Sequence, residues 1–199
     1  MSIDLKPVDL KQGKWLNEPK TWTIENNELT VTTDKARDFW RETFYGFVRD
    51  SGHFYGFSTG NNFTAQLRVK GQFHELYDQA GLMVRIDESH WIKVGVEFTD
   101  GERYFSSVLT NPTSDWNVAQ PFDNLEDFYI RVTVSKGSIR VQSSSDAKLW
   151  HLARLAPFPQ ADNYLVGPMT CTPEREGLTS TFSEFELGPA MTKDLHDRT

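Results

Sequence analysis

The sequence predicts an all-β fold in which two antiparallel sheets pack face to face. Three observations point to it. Apolar and polar residues alternate with a period of two, Asp-Gly and Lys-Gly pairs punctuate the alternation, and 14 Phe, 6 Trp and 6 Tyr stand among 199 residues. Alternation with a period of two is the pattern of a strand that buries one face. Many short strands separated by turn residues are typical of a sandwich or a barrel.

The alternation is clearest in three consecutive segments, residues 62–69, 82–86 and 91–98. Successive side chains of a strand point to opposite faces, so each segment offers one apolar face to a core. The predicted core positions are Phe63, Ala65, Leu67, Val69, Leu82, Val84, Ile86, Ile92, Val94, Val96 and Phe98.

Two turns fix how neighbouring strands pair. Asp100-Gly101 suits a two-residue type I′ turn, because both residues tolerate a positive φ. This turn pairs Val96 with Phe105 on the core side, and Glu97 with Tyr104 on the other side. Lys136-Gly137 is a weaker signal for a second hairpin, which pairs Val134 with Ile139.

The chain is expected to form one domain, residues 1–188, followed by a polar tail, residues 189–199. A content of 38% hydrophobic residues suffices for a core between two sheets, and this length is common for one β-sandwich. The tail has no apolar pattern, so we expect it to be frayed.

Charge and cysteine content restrict the partners and the compartment. A net charge of −7 disfavours nucleic acid, which is bound by clustered Lys and Arg. Cys171 is the single cysteine, so a disulfide within the chain is excluded and a reducing, cytoplasmic compartment is favoured. The sequence shows neither a signal peptide nor a run of about 18 apolar residues, so we expect no membrane association.

A polar and aromatic set lies opposite the apolar positions of the central strands. An aromatic ring among charged hydrogen-bonding groups is how proteins hold sugars and other polar rings. The set therefore predicts a ligand-binding face for a carbohydrate or a sugar-derived metabolite. The alternative is a solvated outer face with cross-strand ion pairs. The predicted residues are Arg85, Trp91, Lys93, Glu97 and Tyr104, with Arg68 from residues 62–69.

Two further segments could line the rim of that face. Asp115 and Trp116 follow the Asp-Gly hairpin directly, where a loop would carry them to one end of the sandwich. The alternative is a capping turn in which Trp116 closes the end of the core. Trp40 and Arg41, with Tyr45 and His53 close behind, form a comparable aromatic and basic cluster.

Several segments together resemble a family of concanavalin A-like proteins of unknown function. They are YDQAGLMVR at residues 77–85, WIKVGVEF at 91–98 and SDW at 114–116. The family includes the yeast protein named for the regulation of enolase, and the resemblance covers residues 10–188. It implies a two-sheet jelly roll whose concave face, in the wider fold, often carries a carbohydrate. It also suggests a metabolic enzyme as a partner, but it implies no reaction.

Signatures of catalysis are weak. Jelly-roll glucanases resemble one another in a Glu-x-Asp-x-x-Glu strand that sets two carboxylates on one face, and this chain lacks it. The five His residues are scattered and Cys171 lies in an apolar segment, so we expect no metal, no cofactor and no thiol nucleophile. The sequence favours a non-catalytic binding or regulatory protein of carbohydrate metabolism. A hydrolase with Glu97 in an atypical acid/base pair, and a protein-interaction module, stay open as alternatives.

Overall fold

The computed structural model describes residues 4–119 and 125–199. These residues form short strands and one turn of 3₁₀ helix, Leu10–Gln12, so none of their helices could cross a membrane. In chain order the strands are β1 Lys6–Pro7, β2 Lys14–Leu16, β3 Thr21–Glu25, β4 Glu28–Thr32, β5 Phe39–Arg41, β6 Val48–Asp50, β7 His53–Thr59, β8 Phe63–Gly71, β9 Gln79–Asp87, β10 His90–Thr99, β11 Glu102–Thr110, β12 Ser114–Ala119, β13 Asp127–Ser135, β14 Ser138–Ser144, β15 His151–Pro157, β16 Tyr164–Cys171 and β17 Thr179–Pro189.

Two antiparallel sheets contain almost all of these strands. Sheet A has the order β15-β14-β13-β8-β17-β4-β3, with β1 added beside β17. Sheet B has the order β12-β11-β10-β9-β16-β7-β2, and β5 and β6 form a separate small hairpin. The prediction of an all-β, two-sheet antiparallel sandwich is therefore confirmed.

Both predicted hairpins form with the predicted register. Val96 pairs with Phe105 and Glu97 with Tyr104, while Val134 pairs with Ile139 in the second hairpin. Asp100 and Gly101 take φ values of 52° and 78°, which is the left-handed geometry that a type I′ turn requires. The turn residues thus fix which side chains share a face of sheet B.

The main core lies between the two sheets. It takes the alternating apolar residues of β8 from sheet A and those of β9, β10 and β11 from sheet B, such as Leu67, Leu82, Val94 and Phe105. Side chains at the odd positions of β10, including Lys93 and Glu97, therefore point to the outer face of sheet B.

The outer face of sheet B is covered rather than open. The loop before β5 and the β5–β6 hairpin lie across it, and the rings of Phe39 and Trp91 pack at a tilt of 58° with their centroids 5.9 Å apart. Because this layer buries the face, polar side chains on it are desolvated. A second, smaller apolar cluster results, made of Phe39, Trp40, Phe54, Met83, Trp91, Val108, Met169 and Cys171.

Two expectations from the sequence are corrected. Arg68 lies on sheet A, where it binds Asp127 through two hydrogen bonds of 2.7 and 2.8 Å, so it does not share a face with Arg85. The chain end is anchored rather than frayed: Arg140 donates hydrogen bonds to the backbone carbonyls of Lys193, Leu195 and Asp197. The backbone of a polar tail can satisfy a buried guanidinium, which hydrophobic patterning does not reveal.

Candidate functional site

A pocket of about 120 Å³ opens on the outer face of sheet B, at the edge of the covering hairpin. Sheet B supplies its floor, and the β5–β6 hairpin, β12 and two loops supply its walls. The lining residues are Asp38, Trp40, Tyr45, Phe47, Arg49, Tyr77, Gln79, Lys93, Glu97, Val108, Trp116, Pro173 and Glu174.

The floor of the pocket is made by polar side chains of β9 and β10. Lys93 and Glu97 stand two positions either side of Gly95, and Gln79 is the direct cross-strand neighbour of Glu97. Gly95 itself faces Gly81 across the strands. A Cβ on Gly95 would meet the backbone carbonyl of Ala80, so only glycine permits this close approach.

Lys93 is buried in an ion pair with Asp38. Its ammonium lies 3.0 Å from Oδ1 of Asp38, and Arg49 Nη1 lies 4.0 Å from Oδ2 of the same carboxylate. Burial acts to lower the pKa of Lys93, but the surrounding negative charge, Asp38 first, leaves this pKa above its ordinary value. The pair therefore stays charged and ties the loop before β5 to sheet B.

Glu97 is the second buried charge of the floor, with 5% of its surface exposed. One of its oxygens accepts hydrogen bonds from Ser106 Oγ at 2.6 Å and Trp116 Nε1 at 3.0 Å. Burial raises the pKa of Glu97 above its ordinary value, although Lys93 and both donors oppose the shift. This carboxyl can accept hydrogen bonds or, once protonated, donate one.

Aromatic rings form the walls. Tyr45 stacks on Phe47 and meets the edge of Trp40, with ring distances of 5.3 and 5.6 Å. Across the mouth, the hydroxyl of Tyr45 lies 3.0 Å from that of Tyr77. Trp116 stands on the far wall with 38% of its surface exposed. A ligand entering the pocket would meet ring faces on more than one side.

The rim loop between β5 and β6 has unusual backbone geometry. Glu42, Phe44 and Gly46 have φ values of 64°, 61° and 71°, in the left-handed region that non-glycine residues rarely adopt. Trp40 Nε1 donates a 3.0 Å hydrogen bond to the carbonyl of Thr43, which holds the loop against the wall. Phe44 at the tip is 95% exposed.

Four of the nine residues predicted from the sequence line this pocket: Trp40, Lys93, Glu97 and Trp116. Trp91 does not, because it is fully buried against Phe39 and offers no open ring face. The alternative in which Trp116 closes the end of the core is wrong, because its ring lines the pocket on the outer face of sheet B.

The other four predicted residues bind neighbouring parts of the chain. Arg85 makes two hydrogen bonds to Asp50, at 2.7 and 2.9 Å, and so holds β6 on sheet B. The remaining contacts are Arg41 Nε with the carbonyl of Pro112 at 3.1 Å, Tyr104 Oη with Glu102 at 3.2 Å, and Asp115 with Arg154 at 2.7 Å.

Sequence reasoning missed Gln79 and Asp38. Gln79 precedes Gly81, which interrupts the alternation, so β9 was predicted to begin only at Leu82. The signal that could have found Gln79 is the register of β9 against β10, which places it beside Glu97. Asp38 lies outside any strand, and its contact with Lys93 depends on how the hairpin folds over the sheet.

Fold and pocket together define the chain as a two-sheet antiparallel β-sandwich with a small polar pocket walled by aromatic rings. Residues 15–190 match the model of a family described as "Protein of unknown function (DUF1349)". The chain belongs to this family. It is 58% identical over 195 residues to "Regulation of enolase protein 1" of Saccharomyces cerevisiae, and the match covers 98% of each chain.

Two solved structures share the fold of this chain. A crystal structure of a functionally unknown protein from Saccharomyces cerevisiae is 59% identical, with a TM-score of 0.91 over 92% of this chain and 100% of that one. A κ-carrageenase from Pseudoalteromonas carrageenovora has a TM-score of 0.52 at 13% identity, over 93% of this chain and 91% of its own. At that identity the second likeness shows the fold alone.

Proposed function

We propose that this protein binds a small sugar or sugar-derived metabolite in the pocket of sheet B, and that it acts as a non-catalytic regulatory protein of carbohydrate metabolism. The observation that carries the proposal is a floor of buried polar groups, Gln79 and Glu97, under aromatic walls. Ligand sites combine apolar walls with a few placed polar groups in this way.

The size of the pocket restricts the ligand. A cavity of roughly 150 Å³ holds one benzene-sized ring, and this pocket of about 120 Å³ is comparable. A single ring that reaches partly into solvent fits this volume. An oligosaccharide would extend beyond it.

The name of the yeast relative supports a regulatory role. That protein is called "Regulation of enolase protein 1", and we propose that this chain has a similar role in the cytoplasm, with enolase as its partner. Pull-down with the full chain from a cytoplasmic extract tests this part: recovery of enolase would support it, and its absence would contradict it.

A thermal-shift screen against monosaccharides tests ligand binding, because a ligand that binds only the folded state raises its melting temperature. We expect at least one monosaccharide to raise the melting temperature of the wild type, and the shift to be lost in Trp116→Ala and Glu97→Gln. Trp22→Ala is the control, since Trp22 lies on β3 of the other sheet. A shift retained in both pocket variants would contradict the proposed site.

One observation favours a second candidate function, that of an atypical glycoside hydrolase. The pKa of Glu97 is raised, as expected of a general acid, and Asp38 and Glu174 line the same pocket. Hydrolysis of 4-nitrophenyl glycosides by the wild type and not by Glu97→Gln would establish it. If the 4-nitrophenyl glycoside of every monosaccharide that binds stays unhydrolysed, the binding function is the better account.

A further inference from the structure

Gln79 is a buried polar side chain that no described residue satisfies. Its surface is 6% exposed and it lines the pocket. Among residues 4–119 and 125–199, no side chain or backbone group forms a hydrogen bond with its side-chain amide. Its amide atoms are not sealed from the pocket, so they are solvated there in the free protein and are available to hydrogen-bond a ligand.

Gln79 and Glu97 stand side by side. They are register partners on adjacent strands, and residues in that relation have Cβ atoms about 5 Å apart on one face. The amide offers a carbonyl oxygen and an NH₂ group, and the carboxyl of Glu97 offers an acceptor beside them. A hydroxyl group both donates and accepts, so two neighbouring hydroxyls on one ring suit this pair.

The cations of the pocket are already engaged. Lys93 binds Asp38, and Arg49 lies between Asp38 and the ring of Phe47, 4.3 Å from its centroid. Glu174 adds a further carboxylate to the lining. Together with Glu97, the lining holds three acidic side chains against two basic ones, which disfavours a phosphate or carboxylate ligand.

We propose that the pocket selects an uncharged ring that carries two adjacent hydroxyls, with Gln79 and Glu97 as the specificity-determining residues, and that it rejects phosphorylated sugars. This inference rests on the proposed function, since it names the class of ligand for the same site. It divides the sugars of a cell into those that bind and their phosphate esters, which do not.

Binding of small probes to the full chain tests the inference, measured by ligand-observed NMR and by calorimetry. The probes are cis-1,2-cyclohexanediol, cyclohexanol, D-glucose, D-galactose, and the 6-phosphates of both sugars. We expect the diol and an unphosphorylated sugar to bind, and cyclohexanol and the phosphates to bind at least tenfold more weakly.

Gln79→Met preserves side-chain volume but removes the amide. We expect it to weaken sugar binding about tenfold, the loss of roughly one hydrogen bond. Gln142→Met is the matched control, because Gln142 is also a buried glutamine but lies on β14 of sheet A. We expect it to leave binding unchanged.

The outcomes separate this inference from the proposed function. In one outcome sugars bind, with binding abolished in Trp116→Ala but not weakened in Gln79→Met. That result would overturn the selectivity inferred for Gln79 and would support the pocket as the binding site. Tighter binding of a 6-phosphate than of its parent sugar overturns the selectivity in the same way. If neither the sugars nor the diol bind, both the proposed function and this inference are overturned.

Discussion

At the scale of single residues, the pocket floor holds charges that the fold keeps away from water. Lys93 and Asp38 neutralise each other, whereas Glu97 receives two neutral donors, Ser106 and Trp116. Burial penalises the charged form of Glu97 more than the nearby charge of Lys93 and the two hydrogen bonds stabilise it. The pKa of Glu97 is therefore raised above its ordinary value.

The raised pKa of Glu97 predicts a specific pH dependence of stability. The folded state holds this proton more tightly than the unfolded state, so its stabilising effect is complete below the ordinary value of 4.5 and is lost as pH rises through the folded pKa. Melting temperatures of wild type and Glu97→Gln, measured from pH 4 to 8, should show the wild-type advantage declining with increasing pH.

A control and a contrary result can be stated for this measurement. Glu28→Gln is the matched control, since Glu28 is exposed at a turn on sheet A. A wild-type advantage that stays level or grows with increasing pH would show that Glu97 is held as a carboxylate in the folded state.

At the scale of elements, the hairpins show how far local sequence determines structure. Asp100-Gly101 fixes the register of β10 against β11, and this places Glu97 and Ser106 close enough for a hydrogen bond. The β5–β6 hairpin is different, because its strands are three residues each and its position depends on contacts with sheet B. The floor of the pocket was therefore partly predictable from the sequence, and its walls mostly were not.

Gly101→Ala tests the contribution of the turn. The φ of 78° is left-handed, and a side chain there costs about 1–2 kcal/mol, although no other atom lies within 4 Å of its Cβ position. We expect the free energy of unfolding in urea to fall by about that amount. Gly60→Ala is the control, since Gly60 has equally open surroundings without a positive φ. Equal effects of the two variants would argue against turn strain.

The hydrogen bonds of Arg140 predict how well residues 193–197 are held against sheet A. Its guanidinium holds three backbone carbonyls of residues 193–197, so Arg140→Gln should release the segment. We expect amide hydrogen exchange in residues 191–199 to accelerate by roughly tenfold or more. Arg103→Gln, on sheet B, should leave exchange there unchanged. Unaltered exchange in Arg140→Gln would mean that other contacts hold the tail.

At the scale of the whole molecule, the middle of sheet B is buried on both faces, by sheet A on one side and by the β5–β6 hairpin on the other. Alternation in the sequence identified the inner face, but it could not show that the outer face is covered, because polar residues on a covered face resemble those on an exposed one. Trp91 illustrates this: its neighbours in sequence predicted an open platform, and the hairpin buries it.

Cys171 reports on this covering layer. It is fully buried beneath Phe39, and burial raises its pKa to about 12, so the reactive thiolate is scarce in the folded protein. We expect labelling by a disulfide reagent to be negligible in native buffer and to follow global unfolding in urea. Rapid labelling below the unfolding transition would instead show that the hairpin lifts from sheet B on its own.

The most direct test of a ligand site in the pocket follows the indole N–H signals of the six Trp residues by NMR while a monosaccharide is added. Single Trp→Phe variants assign the signals. The account predicts that Trp40 and Trp116, which line the pocket, shift together and saturably, while Trp15, Trp22 and Trp150 do not. Shifts confined to those three, or none with any monosaccharide, would contradict it.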